Sequence, residues 1–124
     1  MAAAVLESGW AAATAVLAPA LRLNLRCRAA KGREIAERLD ERFGIDPTPR
    51  PAGTLIWMHA ASVGETVSIL PVLQALGSRA TVLLTTGTVT SQVLLESRIA
   101  ELGLTGHVLH RFAPLDVPAW VDRF

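Results

Sequence analysis

The chain has 124 residues, a length that predicts one domain with a real core but is small for an enzyme with two substrate sites. Twelve basic and eleven acidic residues give a formal net charge of +1, so no global field favours nucleic acid as a partner. A single cysteine, Cys27, excludes an internal disulfide and a cysteine-based zinc cluster, and indicates a reducing compartment. The chain stops at 120-WVDRF-124 without a terminating signal, and we expect it to be part of a longer protein.

The first predicted element is a membrane-associated segment over residues 1–30. The uncharged run GWAAATAVLAPAL, residues 9–21, is shorter than the roughly 20 residues that span a bilayer, so both spanning and surface binding stay open. Seven of the twelve basic residues lie between Arg22 and Arg42, after this run. That order is wrong for a secretory signal peptide and fits a cytoplasmic flank or an interfacial helix on anionic lipid. An amphipathic helix that packs on the protein is the alternative.

A basic helix and a proline-rich linker are predicted over residues 31–53. The stretch KGREIAERLDERFG, residues 31–44, has apolar residues at helical spacing and predicts a short helix ended by Gly44. Glu34 and Arg38 are expected to pair on its exposed side. The prolines that follow predict a linker before the next domain.

From residue 54 onward, apolar strands alternate with helical patterns. We predict strands at residues 54–60, 80–86 and 105–110, and helices at residues 66–77 and 88–103. This alternation predicts an α/β domain over residues 54–124, a Rossmann-like parallel sheet with helices on its faces. Ligands bind such sheets beyond the carboxyl ends of the strands, so the loops at residues 59–65, 85–91 and 110–116 are the candidate site.

Several nucleotide, metal and nucleophile motifs are absent. No loop carries the dinucleotide fingerprint G-x-G-x-x-G or a P-loop, and Ser62 lacks the G-x-S-x-G context of a nucleophile. His59, His107 and His110 lack the spacing of metal ligands, so no metal site is predicted.

Glu65, in 62-SVGE-65, has two candidate roles. The stretch fits a capping box, in which the hydroxyl of Ser62 accepts the N–H of residue 65 and the carboxylate returns to the N–H of Ser62. Pro71 instead favours a helix that begins nearer Ser68, because proline disrupts a helix interior. The carboxylate would then lie in the loop and be free to act as a general base. The two roles do not exclude each other.

The other two loops also allow a structural and a functional interpretation. Thr88 or Thr90 is expected to cap the second helix, while the hydroxyls and amides around them suit an anionic or sugar ligand. Asp116 is predicted to cap a last helix that has Pro118 early in it.

Four stretches, in this order and spacing, resemble the N-terminal half of the 3-deoxy-D-manno-octulosonic acid (Kdo) transferases. They are KGREIAERLDERFG at residues 31–44, IWMHAASVGE at 56–65, LTTGTVTS at 84–91 and PLDVPAWVDRF at 114–124. The resemblance implies an inverting glycosyltransferase of the two-domain GT-B type, which moves Kdo from CMP-Kdo to a lipid A precursor in lipopolysaccharide biosynthesis. It also implies a location at the cytoplasmic face of the inner membrane and no metal or other cofactor. The N-terminal domain would hold the acceptor, and a C-terminal domain would hold the CMP-sugar.

Site residues follow from the resemblance motif by motif. Glu65 matches the general base that takes the proton of the acceptor hydroxyl, and Ser62 and Gly64 match the loop that positions it. The threonines of the second loop match a polar loop with an expected role in acceptor contact: Thr86, Thr88 and Thr90.

The resemblance also sets the expectation for activity. A second functional glutamate of the family lies in a motif that this chain does not reach, so the chain alone is expected to be inactive. The alternatives are a membrane-associated α/β binding module in which Glu65 only caps a helix, and a GT-B transferase for another sugar.

Overall fold

The computed structural model describes residues 2–124, with side chains from Leu6 onward. Met1 and the side chains of residues 2–5 belong to the predicted membrane-associated segment and lie outside the described residues. The chain forms two compact units: one contains Met1–Asp46 with Pro114–Phe124, and the other contains Pro47–Ala113.

The first unit is helical. Its elements are α1 (Ala2–Ala30), a 3-10 turn (Ala36–Arg38), α2 (Leu39–Arg42) and α5 (Pro118–Val121). One side of α1 packs on a core of Leu25, Phe43, Val117 and Trp120, in which the rings of Phe43 and Trp120 meet edge to face at 5.0 Å. Within the described residues, no helix combines the length and hydropathy that crossing a bilayer requires.

Gly44 ends the short second helix as predicted, but this helix is shorter than expected. Gly44 has φ +68°, and a Cβ at this position would collide with the carbonyl oxygen of Trp120. Only a residue without a side chain fits both conditions. The predicted helix over residues 31–44 is limited to the 3-10 turn and α2, so residues 31–35 are not helical.

The predicted pairing of Glu34 with Arg38 is wrong. Glu34 is buried, and its two carboxylate oxygens bind the guanidinium groups of Arg28 and Arg42. Arg38 pairs with Glu41 instead. The prediction assumed helical spacing from residue 34, but the regular helix begins only at Leu39, so Glu34 and Arg38 do not share a helix face.

The second unit confirms the predicted parallel sheet. Its strands are β1 (Leu55–Ala60), β2 (Thr81–Thr86) and β3 (Val108–Phe112), in the spatial order β1-β2-β3 with all pairs parallel. The crossover helices are α3 (Val63–Leu76) and α4 (Val89–Glu101). Parallel neighbours require such crossovers, since a tight turn joins only antiparallel strands.

Both helices pack on the same face of the sheet. The core cluster joins α3 and α4 to even-numbered strand residues such as Met58 and Leu84. Odd-numbered residues, among them Trp57 and Thr85, point to the opposite face because side chains alternate along a strand. The two crossovers have the same handedness, and each connects a strand to the next strand along the sheet. The two crossover helices therefore lie on the same face of the sheet.

Two predicted elements, the helix α3 and the third strand, begin at other residues in the structure. The helix α3 begins at Val63 rather than near residue 66 or Ser68, and Pro71 lies in its interior. Because Pro71 is exposed on the helix surface, the helix tolerates its missing N–H. The third strand is displaced from residues 105–110 to Val108–Phe112, because Gly103 and Gly106 adopt positive φ angles and form the turns before it.

Asp116 does not cap the last helix. The N-cap of α5 is Val117, with no side-chain cap hydrogen bond, so the predicted cap is wrong. Pro118 does occupy the beginning of α5, where its fixed φ suits the first turn and its missing N–H costs nothing.

Candidate functional site

The candidate site lies at the carboxyl edge of the sheet. The last residues of the three strands, Ala60, Thr86 and Phe112, are register partners of one another, so the strands end at one level. The first two loops lead from this edge directly into α3 and α4. Both helices therefore begin at the edge where parallel sheets bind ligands.

The carboxylate of Glu65 is held at one oxygen. Ser62 is the N-cap of α3, and its hydroxyl accepts the N–H of Glu65 at 3.2 Å, as predicted. The carboxylate oxygen Oε2 accepts the N–H of Ala61 at 2.7 Å, one residue before the N–H that the capping box predicts. Glu65 is solvent-exposed, and its Oε1 forms no hydrogen bond with any described residue. The same carboxylate thus closes the helix cap and presents an oxygen to solvent.

The rest of the first loop stabilises this arrangement. The carbonyl of Ser62 accepts hydrogen bonds from both the N–H and the hydroxyl of Thr66, at 3.0 and 2.9 Å. Thr66 is buried, so the start of α3 is anchored to the core. Gly64 is exposed, and a Cβ there would meet nothing closer than the Ser62 hydroxyl at 3.9 Å. A side chain at this position would therefore meet ordinary contact distances only.

The three threonines of the second loop have different environments. Thr88 caps α4, since its hydroxyl accepts the N–H of Ser91 at 3.2 Å, and its side chain is exposed. Thr90 is exposed in the first turn of α4. Thr86 is fully buried, and its hydroxyl lies 2.8 Å from Nε2 of His110. Thr88 and Thr90 can therefore contact a ligand, whereas Thr86 supports the loop from inside the fold.

The first two loops touch each other. A Cβ placed on Gly87 would lie 3.2 Å from the carbonyl oxygen of Ala61, closer than an ordinary van der Waals contact. Ala61 supplies the N–H that holds Glu65. The second loop thus packs against the peptide that orients the candidate base.

Comparisons with known proteins identify the family. The family model described as 3-deoxy-D-manno-octulosonic-acid transferase (kdotransferase) matches residues 37–124. The chain belongs to this family. An Arabidopsis thaliana protein, the probable 3-deoxy-D-manno-octulosonic acid transferase, mitochondrial, is 40% identical over 111 residues, which are 87% of this chain and 24% of that protein. No solved structure matches the chain.

All predicted site residues lie inside the part that matches the Kdo transferase family. The chain spans about a quarter of the length of the curated relative that it matches. The predicted family membership is therefore confirmed, and the candidate site belongs to the portion of the chain that carries the match.

Sequence reasoning missed a second polar cluster at the same edge of the sheet. In this member of the Kdo transferase family, the cluster is formed around Thr85. Thr85 is fully buried and contacts the side chains of Trp57 and His59 from the neighbouring strand. The signal was present in the strand register, because His59 and Thr85 are Cα partners on the same face. Strand pairing is a tertiary property, so the two polar residues did not appear as neighbours in the sequence.

A perturbed carboxyl group elsewhere takes no part in this site. The guanidinium of Arg98 donates a hydrogen bond to the carboxylate of Glu101, and its positive charge also stabilises the negative carboxylate. Both interactions lower the pKa of the Glu101 carboxyl. These two residues lie in the last turn of α4, at the opposite end of the helix from the loops.

Proposed function

We propose that this chain is the N-terminal, acceptor-binding part of a GT-B glycosyltransferase that moves Kdo from CMP-Kdo to a lipid A precursor in lipopolysaccharide biosynthesis. The observation that carries the proposal is the position of Glu65, fixed through Oε2 and open at Oε1, at the carboxyl edge of the sheet. Membership in the Kdo transferase family supports the sugar that is transferred.

The proposed reaction is a single displacement at the anomeric carbon of Kdo. The acceptor hydroxyl attacks this carbon and gives its proton to Oε1 of Glu65, while the bond to the phosphate oxygen breaks and CMP leaves with the bonding electrons. Attack from the side opposite the leaving group inverts the anomeric configuration. The hydrogen bond from Ala61 fixes the carboxylate in one orientation, which reduces the entropy lost when the hydroxyl approaches.

Other groups of the site fit an acceptor that carries hydroxyls and phosphates. Thr88 and Thr90 are exposed residues at the beginning of α4, whose backbone N–H groups and dipole favour negative charge; the hydroxyl of Thr88 donates its proton to Ser91. We assign CMP-Kdo to a further domain of the complete transferase, so the 124-residue chain alone is expected to show no transfer.

The first test is transfer by the complete transferase that carries this chain. Incubation with CMP-Kdo and an acylated, phosphorylated glucosamine disaccharide should increase the acceptor mass by one or more Kdo residues, as measured by mass spectrometry. The control replaces CMP-Kdo with CMP-linked sialic acid, because that donor shares the nucleotide but not the sugar. Transfer of the control sugar at an equal rate would favour a transferase for another sugar, and no transfer of either would favour a binding module.

We also propose that α1 binds the cytoplasmic surface of the inner membrane. Large apolar side chains of α1 are exposed to solvent: Leu6, Trp10, Val16, Leu17 and Leu23. Exposed basic residues follow them: Arg26, Lys31 and Arg33. An apolar surface with a basic flank is the pattern of helices that lie in the interface of anionic membranes. Such binding would tether the chain to the membrane that contains an acylated acceptor.

The membrane proposal is tested by charge substitutions that spare the packed side of α1. Val16 is 80% exposed and Leu23 is 63% exposed, so Val16→Glu with Leu23→Glu should leave the fold intact. Binding to phosphatidylglycerol vesicles, measured by sedimentation, should fall by about tenfold or more. The reason is that the two carboxylates replace apolar side chains that would be buried in the bilayer interface. Val93→Glu on α4, at a residue 59% exposed, is the matched control. An equal loss in both variants, or none in the first, would contradict the proposal.

A further inference from the structure

The cluster around Thr85 lies on the sheet face opposite α3 and α4. The hydroxyl oxygen of Thr85 accepts the indole N–H of Trp57 at 3.1 Å and lies 2.9 Å from Nδ1 of His59. The same hydroxyl lies 3.3 Å from the carbonyl oxygen of Met58. A buried threonine thus fixes the ring of an exposed histidine, the second-last residue of β1.

The proton of the Thr85 hydroxyl has two candidate acceptors, the carbonyl oxygen of Met58 and Nδ1 of His59. A threonine hydroxyl has a single proton to donate, and the contact with His59 is shorter than the contact with the Met58 carbonyl. Donation to Nδ1 makes this nitrogen the acceptor, which leaves the proton of the neutral ring on Nε2. In this arrangement His59 presents an Nε2–H donor, and this nitrogen has no hydrogen-bond partner among the described residues.

We propose that His59 is a substrate-binding residue whose Nε2–H donates a hydrogen bond to an oxygen of the acceptor. The inference rests on the proposed function, in which Glu65 receives the proton of the acceptor hydroxyl. His59 lies on β1, the strand that leads into the Glu65 loop, at the edge where parallel sheets bind ligands. Holding an exposed ring in one rotamer costs conformational entropy, and a buried threonine that holds it prepares the donor before the substrate arrives.

Two substitutions separate the two ring nitrogens. The amide of asparagine reaches the position of Nδ1, so His59→Asn keeps a partner for Thr85 but removes the outer donor. The amide of glutamine reaches the position of Nε2, so His59→Gln keeps an outer donor but loses the contact with Thr85. In the complete transferase, His59→Asn should raise the KM for the acceptor by about tenfold or more, with kcat, the KM for CMP-Kdo and the melting temperature little changed. His59→Gln should bring the acceptor KM to within about threefold of the unsubstituted protein.

The target oxygen is identified by changing the acceptor. If the oxygen belongs to a phosphate, the difference between His59→Asn and the unsubstituted protein should disappear with a dephosphorylated acceptor, and if it belongs to a sugar hydroxyl the difference should persist. The free protein should also show the Nε2–H tautomer of His59 in ¹⁵N NMR spectra of the imidazole.

Three results would overturn the inference. These are an unchanged acceptor KM in His59→Asn, an equal rise of the acceptor KM in both variants, and an Nδ1–H tautomer in the free protein. Failure of the proposed function is distinguishable, because it would appear as transfer that survives Glu65→Gln. Loss of transfer in Glu65→Gln together with an unchanged His59→Asn would reject only the role of His59.

Discussion

Transfer by the complete enzyme is expected to lose a factor of about 10² to 10⁴ in kcat when Glu65 is replaced by glutamine, the range that a general base contributes. Glutamine has nearly the same shape, and its amide oxygen can still accept the N–H of Ala61 at the position of Oε2. It cannot take a proton from the acceptor hydroxyl. The substitution therefore separates the two roles that the sequence left open, the cap and the base.

Stability should change little in the same variant. Loss of the negative charge near the beginning of α3 removes a favourable interaction with the helix dipole, which is worth about 0.3–1 kcal/mol at an exposed site. Thermal unfolding should show a correspondingly small decrease in melting temperature. Glu37→Gln is the matched control, because Glu37 is an exposed glutamate outside the site. Transfer that persists in Glu65→Gln, or that falls equally in Glu37→Gln, would leave Glu65 as a helix cap alone.

The second large effect is expected on the folding of the helical unit. Glu34→Gln should lower the free energy of unfolding by about 3–5 kcal/mol, the range for breaking a buried ion pair by removing one partner. Both oxygens of Glu34 are used, one by Arg28 at 3.1 Å and one by Arg42 at 3.0 Å. The side chain of Arg42 is only 5% exposed, so it cannot turn to water when the carboxylate is lost.

Urea denaturation measures the loss of stability in Glu34→Gln, and two further variants serve as comparisons. Glu101→Gln removes a carboxylate that pairs with Arg98 on the surface, where solvent screens the charges, and should leave the denaturation midpoint almost unchanged. Replacing both partners, as Glu34→Leu with Arg42→Met, should cost less than Glu34→Leu alone, because no buried charge then remains without its carboxylate partner. A midpoint of Glu34→Gln that equals that of Glu101→Gln would show that the buried network contributes little.

Local chemistry explains which parts of the site could be predicted. The cap formed by Ser62 and Glu65 involves residues three positions apart, so its hydrogen bond is encoded in a short stretch of sequence. The same holds for Thr88 as a cap and for Gly44, whose positive φ favours glycine. The competing signal from Pro71 was overridden, because burial of Thr66 and Leu73 on the inner side of α3 fixes this helix while Pro71 remains at its surface.

Contacts between distant residues explain what could not be predicted. Thr86 was expected to contact the acceptor, but strand pairing puts its hydroxyl beside His110, which lies on another strand. Glu34 was expected at the surface, but Arg28 and Arg42 approach it from two separate helices and bury it. In both cases the decisive partner is remote in sequence or lies on a different element.

The sequence by itself determined the alternation of strands and helices, the residues that cap α3 and α4, and membership in the Kdo transferase family, because these depend on local hydrogen bonding, on hydrophobic periodicity and on motif order. Only the tertiary structure decided that Gly87 packs on Ala61 and that Thr85 holds His59. These contacts arise where parallel strands end side by side, and the register that aligns them is set by packing of the whole sheet face rather than by any single stretch of residues.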